Sequence, residues 1–337
     1  MRSTGHLVAR GAMTARSIFD PLVGQEQAID FLLSAIARDR VAPAYLFAGP
    51  SGVGRKLAAE CFGQLVLCPP ERPELAAGLA RRVRDRMHPD LVWLEPTYLD
   101  RGQLIPASQA QAAGLEKKTP PQIRLEQIRQ LATSLGRPPM EASRSFVVIE
   151  GAETMAEGAA NALLKTLEEP GRATIVLLAP GPEALLPTLV SRCARVAFRR
   201  LAPEELGQVL DRVGQGDLRA YPEVLALAQG CPGQAIVHWQ RLQSLPPDLL
   251  TSLRQPPPST YAALDLARQI DKATDTEQQL WLVNYLQQTW WQRADRPWPL
   301  RDRDLRRLET LRKQLMGYVQ PRLAWEVALM ELATADR

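Results

Sequence analysis

The chain has 337 residues, of which 45% are hydrophobic and 23% charged, with a formal charge of +4. That length suits two or three domains and that composition an ordinary globular protein, while mild basicity fits a phosphate-bearing partner without requiring one. The four cysteines, Cys61, Cys68, Cys193 and Cys231, form no CxxC pair and no histidine stands at zinc-ligand spacing, so neither a disulfide framework nor a metal site is expected, and the scattered thiols suit a reducing cytoplasm.

In chain order, residues 1–17 hold three arginines without a signal-type apolar core and are expected to be an extension or a misassigned start. Residues 25–36 repeat apolar side chains at helical spacing, and 44–48 (AYLFA) form an apolar run closed by Gly49 and Pro50. Residues 98–121 have weak periodicity and are expected to be a surface insertion. A helix is predicted over 123–135, a second buried strand over 146–149 (FVVI), an apolar helix over 159–167 and a third strand over 174–179 (TIVLLA). Short Val- and Ile-rich runs alternating with helices predict a doubly wound α/β domain with a parallel sheet. After about Leu201 the strands stop. Residues 203–239 read as short helices, the proline-rich 244–259 as a linker, and 261–333 as helical throughout. No apolar run approaches the roughly 18 residues of a membrane span.

The first strand runs into Gly49-Pro50-Ser51-Gly52-Val53-Gly54-Arg55-Lys56. In the phosphate loop G-x-x-x-x-G-K-S/T, glycines let backbone N–H groups face phosphate oxygens at a helix N-terminus. Gly49 and Gly54 keep the glycine positions and Gly52 adds a third. Arg55 stands where the lysine is needed, and Lys56 where a hydroxyl would ligate Mg²⁺. An ammonium cannot ligate a cation. Such a loop either binds phosphate weakly or keeps only its shape. An ATPase of this kind also needs Asp then Glu after its third strand, one to hold the metal and one to activate water. Here Glu150 and Gly151 occupy those places, so the base has no side chain.

The string Asn161-Ala162-Leu163-Leu164-Lys165-Thr166-Leu167-Glu168-Glu169-Pro170, followed by Ser191-Arg192-Cys193, resembles the bacterial clamp-loader branch of the AAA+ family. Phe19-Asp20-Pro21-Leu22-Val23-Gly24-Gln25 is similar to the opening of its AAA+ module, and residues 319–326 to the end of its oligomerisation domain. The resemblance covers nearly everything from Ile18 onward. It implies an AAA+ domain at 18–201, a helical lid at 202–243, a linker at 244–259 and a helical collar at 260–337. Catalytic members also carry a polar sensor residue where this chain has Leu178-Ala179-Pro180, and an arginine where it has Gly233. Four departures together resemble the non-catalytic delta-prime members. The missing four-cysteine module, with His88-Pro89-Asp90-Leu91 after it, and the 98–121 insertion resemble cyanobacterial ones.

From the resemblance, Arg192 is expected to act in trans at a neighbouring subunit's ATP, with no zinc and no nucleotide needed in this chain. The implied partners are gamma/tau and delta subunits in a hetero-pentamer, the sliding clamp, and primer-template DNA. Two competing readings are an active ATPase that uses Lys56 through a one-residue shift, and a stand-alone DNA-binding protein. Trp281, Trp290, Trp291, Trp298 and Trp325 are expected to anchor a helical collar rather than stack on bases, and Arg301, Arg303, Arg306 and Arg307 to form a solvated face.

Overall fold

The computed structural model describes residues 15–68, 76–110, 112–115, 119–292, 297–317 and 319–333; the expected extension at 1–17 falls almost wholly outside them. The chain divides into two compact units, Met1–Glu205 and Leu206–Arg337.

In the first unit the elements are α1 (Glu26–Ala37), β1 (Ala44–Ala48), α2 (Arg55–Leu67), α3 (Ala76–Arg84), β2 (Leu91–Leu94), β3 (Thr97–Asp100), β4 (Gln103–Pro106), α4 (Leu125–Leu135), β5 (Ser145–Ile149), α5 (Glu157–Glu168), β6 (Ala173–Ala179), α6 (Pro187–Val190) and β7 (Ala194–Ala197). The main sheet has the order β2-β5-β6-β1-β7 and is parallel at every pairing. Because successive side chains point to opposite faces, each strand feeds two layers. Tyr45, Phe47 and Phe146 meet Phe62 of α2 and Phe198 in a chain of ring contacts 5.2–6.4 Å between centroids. Leu46, Val147, Ile149, Ile175 and Leu177 pack with Ile128 and Leu131 of α4 and Leu163 and Leu167 of α5. The near-continuous apolar runs are the signature of strands covered on both sides.

The three strands expected from sequence are the sheet's interior. Both edge strands escaped the reading. Leu91–Leu94 and Ala194–Ala197 have four residues each, and β7 carries a charged residue, so neither stands out by hydrophobicity. Residues 98–121 do hold regular structure: β3 and β4 pair as an antiparallel hairpin, and Leu99 on it is exposed.

His88 and Asp90 are buried. The Asp90 carboxylate accepts backbone N–H bonds from Met140 (2.6 Å), Glu141 (2.8 Å) and Ala142 (2.7 Å). His88 Nδ1 accepts the N–H of Asp90 at 3.1 Å, and Glu141 pairs with both Arg82 nitrogens at 2.7 and 2.9 Å. One carboxylate thereby ties the approach to β2 to the loop before β5. Burial alone would raise the Asp90 pKa, and burial lowers that of His88; the three N–H donors outweigh the desolvation of Asp90 and hold its carboxyl below the ordinary 3.8.

The second unit, all helical among the described residues, is entered through α7 (Pro203–Arg212) and holds α8 (Pro222–Ala228), α9 (Pro232–Gln243), α10 (Pro247–Leu253), α11 (Thr260–Ala273), α12 (Thr276–Trp291), α13 (Trp298–Met316) and α14 (Pro321–Ala333). The segment expected to be a linker contains α10, with Leu245, Leu249 and Leu253 buried. Trp290 Nε1 donates to the Leu253 carbonyl at 3.2 Å, and Trp281 Nε1 to His238 Nδ1 of α9 at 3.0 Å. Pro247 starts α10 at N1, where a missing N–H costs nothing, while Pro256, Pro257 and Pro258 lie in the irregular stretch before α11. Trp325 is fully buried and donates to Gln279 Oε1 at 3.0 Å, whereas Trp291 and Trp298 remain largely exposed beside Arg301. Arg306 pairs with Asp302 and Arg307 with Glu331.

Replacing Asp90 with alanine leaves three loop N–H groups without their acceptor and is expected to cost on the order of 3 kcal/mol of unfolding free energy. Asp90→Asn retains one oxygen and loses less. Since the folded carboxyl has the lower pKa, its contribution is complete above the unfolded value near 3.8 and fades as pH falls through the folded value. Chemical denaturation of both proteins should show a constant gap above about pH 5 that narrows below about pH 4.

Candidate functional site: a phosphate-loop fold with a filled metal corner

The C-terminal ends of β1 and β5 carry the two halves of the site. After Ala48 the chain makes the predicted glycine turn, and α2 begins at Arg55 behind Gly54, whose φ is 110°. A Cβ on Gly49 would lie 2.6 Å from the Phe198 carbonyl oxygen, so the sheet itself demands glycine there. The loop's form therefore survives.

Where an ATPase of this kind places its metal ligands, this chain places a cation beside a carboxylate. The Lys56 ammonium lies 3.3 Å from Glu150 Oε2. The same oxygen accepts the Trp93 indole N–H at 3.1 Å and has an Arg86 guanidinium nitrogen 3.9 Å away. Arg86 in turn stands 4.8 Å from the centre of the Trp93 ring and pairs with Glu95 at 3.3 Å. Glu60, one turn beyond Lys56, has its pKa raised by burial, against the opposing pull of Lys56, Arg84 and Arg86. The position that holds Mg²⁺ in an ATPase of this kind thus carries a lysine already paired with the carboxylate that would share the metal. Sequence reasoning named Lys56 and Glu150 but not their pairing. It missed Trp93 and Arg86 altogether, because β2 was not recognised as the strand beside β5. Among the described residues no group of three His, Cys, Asp or Glu side chains converges as a metal site.

The place of the water-activating base is closed by backbone geometry. Gly151 has φ +65°, and a Cβ there would lie 2.9 Å from Pro96 Cγ. Any other L-residue meets both strain and a close contact. Glu153, two residues on, is exposed in a short 3₁₀ turn over Ala152–Thr154. In the sensor region, Ala179 ends β6 fully buried and offers no polar group. Gly233 lies in the first turn of α9.

Ser191, Arg192 and Cys193 follow the short helix α6, which is started by Pro187. Ser191 Oγ donates to the Thr188 carbonyl at 3.0 Å. Arg192 donates from Nη1 to the same carbonyl at 3.0 Å and from Nη2 to Glu168 Oε1 at 2.6 Å, with about a third of its side chain exposed. Cys193 packs against the core, and burial pushes its thiol up to about 11. It is a packing residue and a poor nucleophile.

A Gly151→Glu substitution, meant to supply the missing base, should yield no ATP turnover and cost about 1–3 kcal/mol of stability. Thermal unfolding and phosphate release on the purified variant check both.

Comparison with known proteins adds the lineage. The family model for the DNA polymerase III delta subunit matches residues 24–202. The model for the cyanobacterial DNA polymerase III delta prime C-terminal domain matches residues 204–332. The DNA polymerase III subunit delta' of Pseudomonas aeruginosa is 32% identical over 213 residues, covering 58% of this chain and 55% of that protein. The Bacillus subtilis subunit delta' is 29% identical over 185 residues, covering 54% of this chain and 50% of that one. The chain thus spans about half the length of these relatives. In fold, it is similar to a DNA polymerase III gamma subunit-related protein from Thermotoga maritima, with a TM-score of 0.54 and 17% identity over 91% of this chain and 99% of that one. With one model matching more than half of the chain and a second matching most of the remainder, the chain belongs to the DNA polymerase III delta-prime family, and its C-terminal part resembles cyanobacterial members.

Proposed function

We propose that this chain is a non-hydrolysing subunit of the DNA polymerase III clamp loader. In that role it completes a ring with gamma/tau and delta subunits in a hetero-pentamer that loads the sliding clamp onto primer-template DNA in the cytoplasm. The observation that carries the reading is the Lys56–Glu150 pair. ATP hydrolysis of this type needs a divalent cation bridging the outer phosphates. A lysine ammonium supplies one charge, cannot be ligated by phosphate and water as a metal is, and here is already engaged. Gly151 adds a second, independent loss. The alternative of an active ATPase through a one-residue shift needs Lys56 for a phosphate and a base after Glu150. The geometry favours neither. We further propose that the chain requires no nucleotide or zinc of its own.

Arg192 is the residue proposed to act on chemistry, at a neighbouring subunit's ATP. Guanidinium is planar and permanently charged, and its two terminal nitrogens match the oxygens of a phosphoryl group in transfer. Arg192 sits on a turn braced by the buried Leu189 and Val190, so its backbone has a rigid base.

Two measurements test the reading. The purified chain should show no ATP turnover above background with magnesium; robust turnover abolished by Lys56→Ala would overturn the proposal. In a reconstituted loader, Arg192→Ala in this chain alone should preserve assembly while slowing hydrolysis at the facing site, where a trans arginine is worth about 10³–10⁵ in rate. Total turnover then falls by that site's share. Arg192→Lys should rescue poorly, because a point charge lacks the planar fork. Unchanged hydrolysis and clamp loading on primed DNA, with assembly verified by mass, would reduce Arg192 to a surface residue.

A further inference from the structure

Both terminal nitrogens of Arg192 are spent inside its own chain. Nη2 is 2.6 Å from Glu168 Oε1 and Nη1 is 3.0 Å from the Thr188 carbonyl oxygen. These are the atoms that a phosphate oxygen would need. Glu168 is the last residue of α5, and Thr188 lies in α6. Leu163 and Leu167 of α5 and Leu189 of α6 belong to one buried cluster. The two acceptors therefore sit on a firm frame, while the bonds themselves face water: the side chains of Arg192 and Glu168 are 37% and 51% exposed.

We propose that Glu168 is a positioning residue that holds Arg192 in a withdrawn pose and releases it only when a more highly charged anion competes. The inference rests on the reading that Arg192 serves a neighbour's nucleotide, and it adds how that service is gated. A single half-exposed carboxylate binds guanidinium weakly, since water and salt screen the pair. A triphosphate offers more negative charge and several oxygens in a geometry suited to the same fork. An empty neighbouring site then leaves the arginine folded back, and a loaded one draws it out. No covalent bond changes at the latch: hydrolysis at the neighbour consumes ATP and water and gives ADP and phosphate, with Arg192 contributing charge only.

The test uses a reconstituted loader with primed DNA and clamp, carrying Glu168→Gln, Arg192→Ala, or both in this chain alone. The difference in turnover between wild type and Arg192→Ala is the share that depends on the arginine. Glu168→Gln keeps the shape of the side chain and removes its charge, so it should enlarge that share about two- to five-fold at saturating ATP, the range open to an exposed ion pair. The KM for ATP should fall by no more than the same factor, because a latch that bound ATP must open is by linkage also a cost on ATP binding. The double variant should match Arg192→Ala, since the carboxylate acts only through the arginine. The thermal midpoint of the Glu168→Gln chain should remain that of wild type. Turnover unchanged or slowed by Glu168→Gln while Arg192→Ala slows it would overturn the latch and leave the trans arginine standing. A double variant unlike Arg192→Ala, or a lowered thermal midpoint, would make Glu168 a fold residue instead. If Arg192→Ala has no effect, the reading beneath the latch fails, and the latch with it.

Discussion

Parallel pairing of β1, β5 and β6 is the constraint from which the site follows. Their register aligns Ala48 with Ala179 and Ile149 with Leu177, so the glycine turn, the Glu150 turn and the Pro180 turn leave the sheet at neighbouring levels. A one-residue slip would exchange the two apolar faces, which is why such register is strongly specified. With Tyr45 and Phe47 packed against α2, and Leu46, Val147 and Ile149 against α4 and α5, no slip is tolerated. Lys56 in the first turn of α2 and Glu150 at the end of β5 are therefore delivered to each other by the fold, as a hydroxyl and an aspartate would be in a metal-binding relative.

What stands at that meeting point is an ammonium beside a carboxylate. A metal is exchangeable and needs several oxygen ligands, whereas the lysine is covalently attached and brings its own partner. Trp93 and Arg86 complete the corner: one donates to Glu150, and the other is within 4 Å of the same oxygen while facing the Trp93 ring. The corner is satisfied from within the chain. At Gly151 the left-handed backbone against Pro96 disfavours a side chain.

Sequence made the interior of the fold legible because strands buried on both faces leave long apolar runs. Residues 44–48, 146–149 and 174–179 announced themselves in this way, and glycine or proline after two of them fixed the turns. The edge strands did not, since LVWL and ARVA are too short and too mixed to distinguish from loop. That omission hid Trp93, and with it the reason Glu150 is held where it is. Asp90 was equally opaque. Its role depends on three backbone N–H groups some fifty residues away, which no local pattern encodes. Residues 244–259 misled in part: Pro247 opens α10 while Pro256, Pro257 and Pro258 stand outside any helix, and a proline at a helix start looks like one in a tether until Leu249 and Leu253 are seen to be buried.

The chain contains two cation–carboxylate pairs of similar exposure, Lys56–Glu150 and Arg192–Glu168, and their neighbours differ. Lys56–Glu150 lies among other ionised groups and an indole, where burial already raises the neighbouring Glu60. Breaking it would leave Glu150 with the Trp93 indole and with Arg86 as its remaining charge partner. Arg192–Glu168 has water on both sides, a backbone carbonyl as its second acceptor, and a packed frame that does not depend on it. Exposed pairs of that kind contribute little to stability, and for the same reason they exchange partners at little cost.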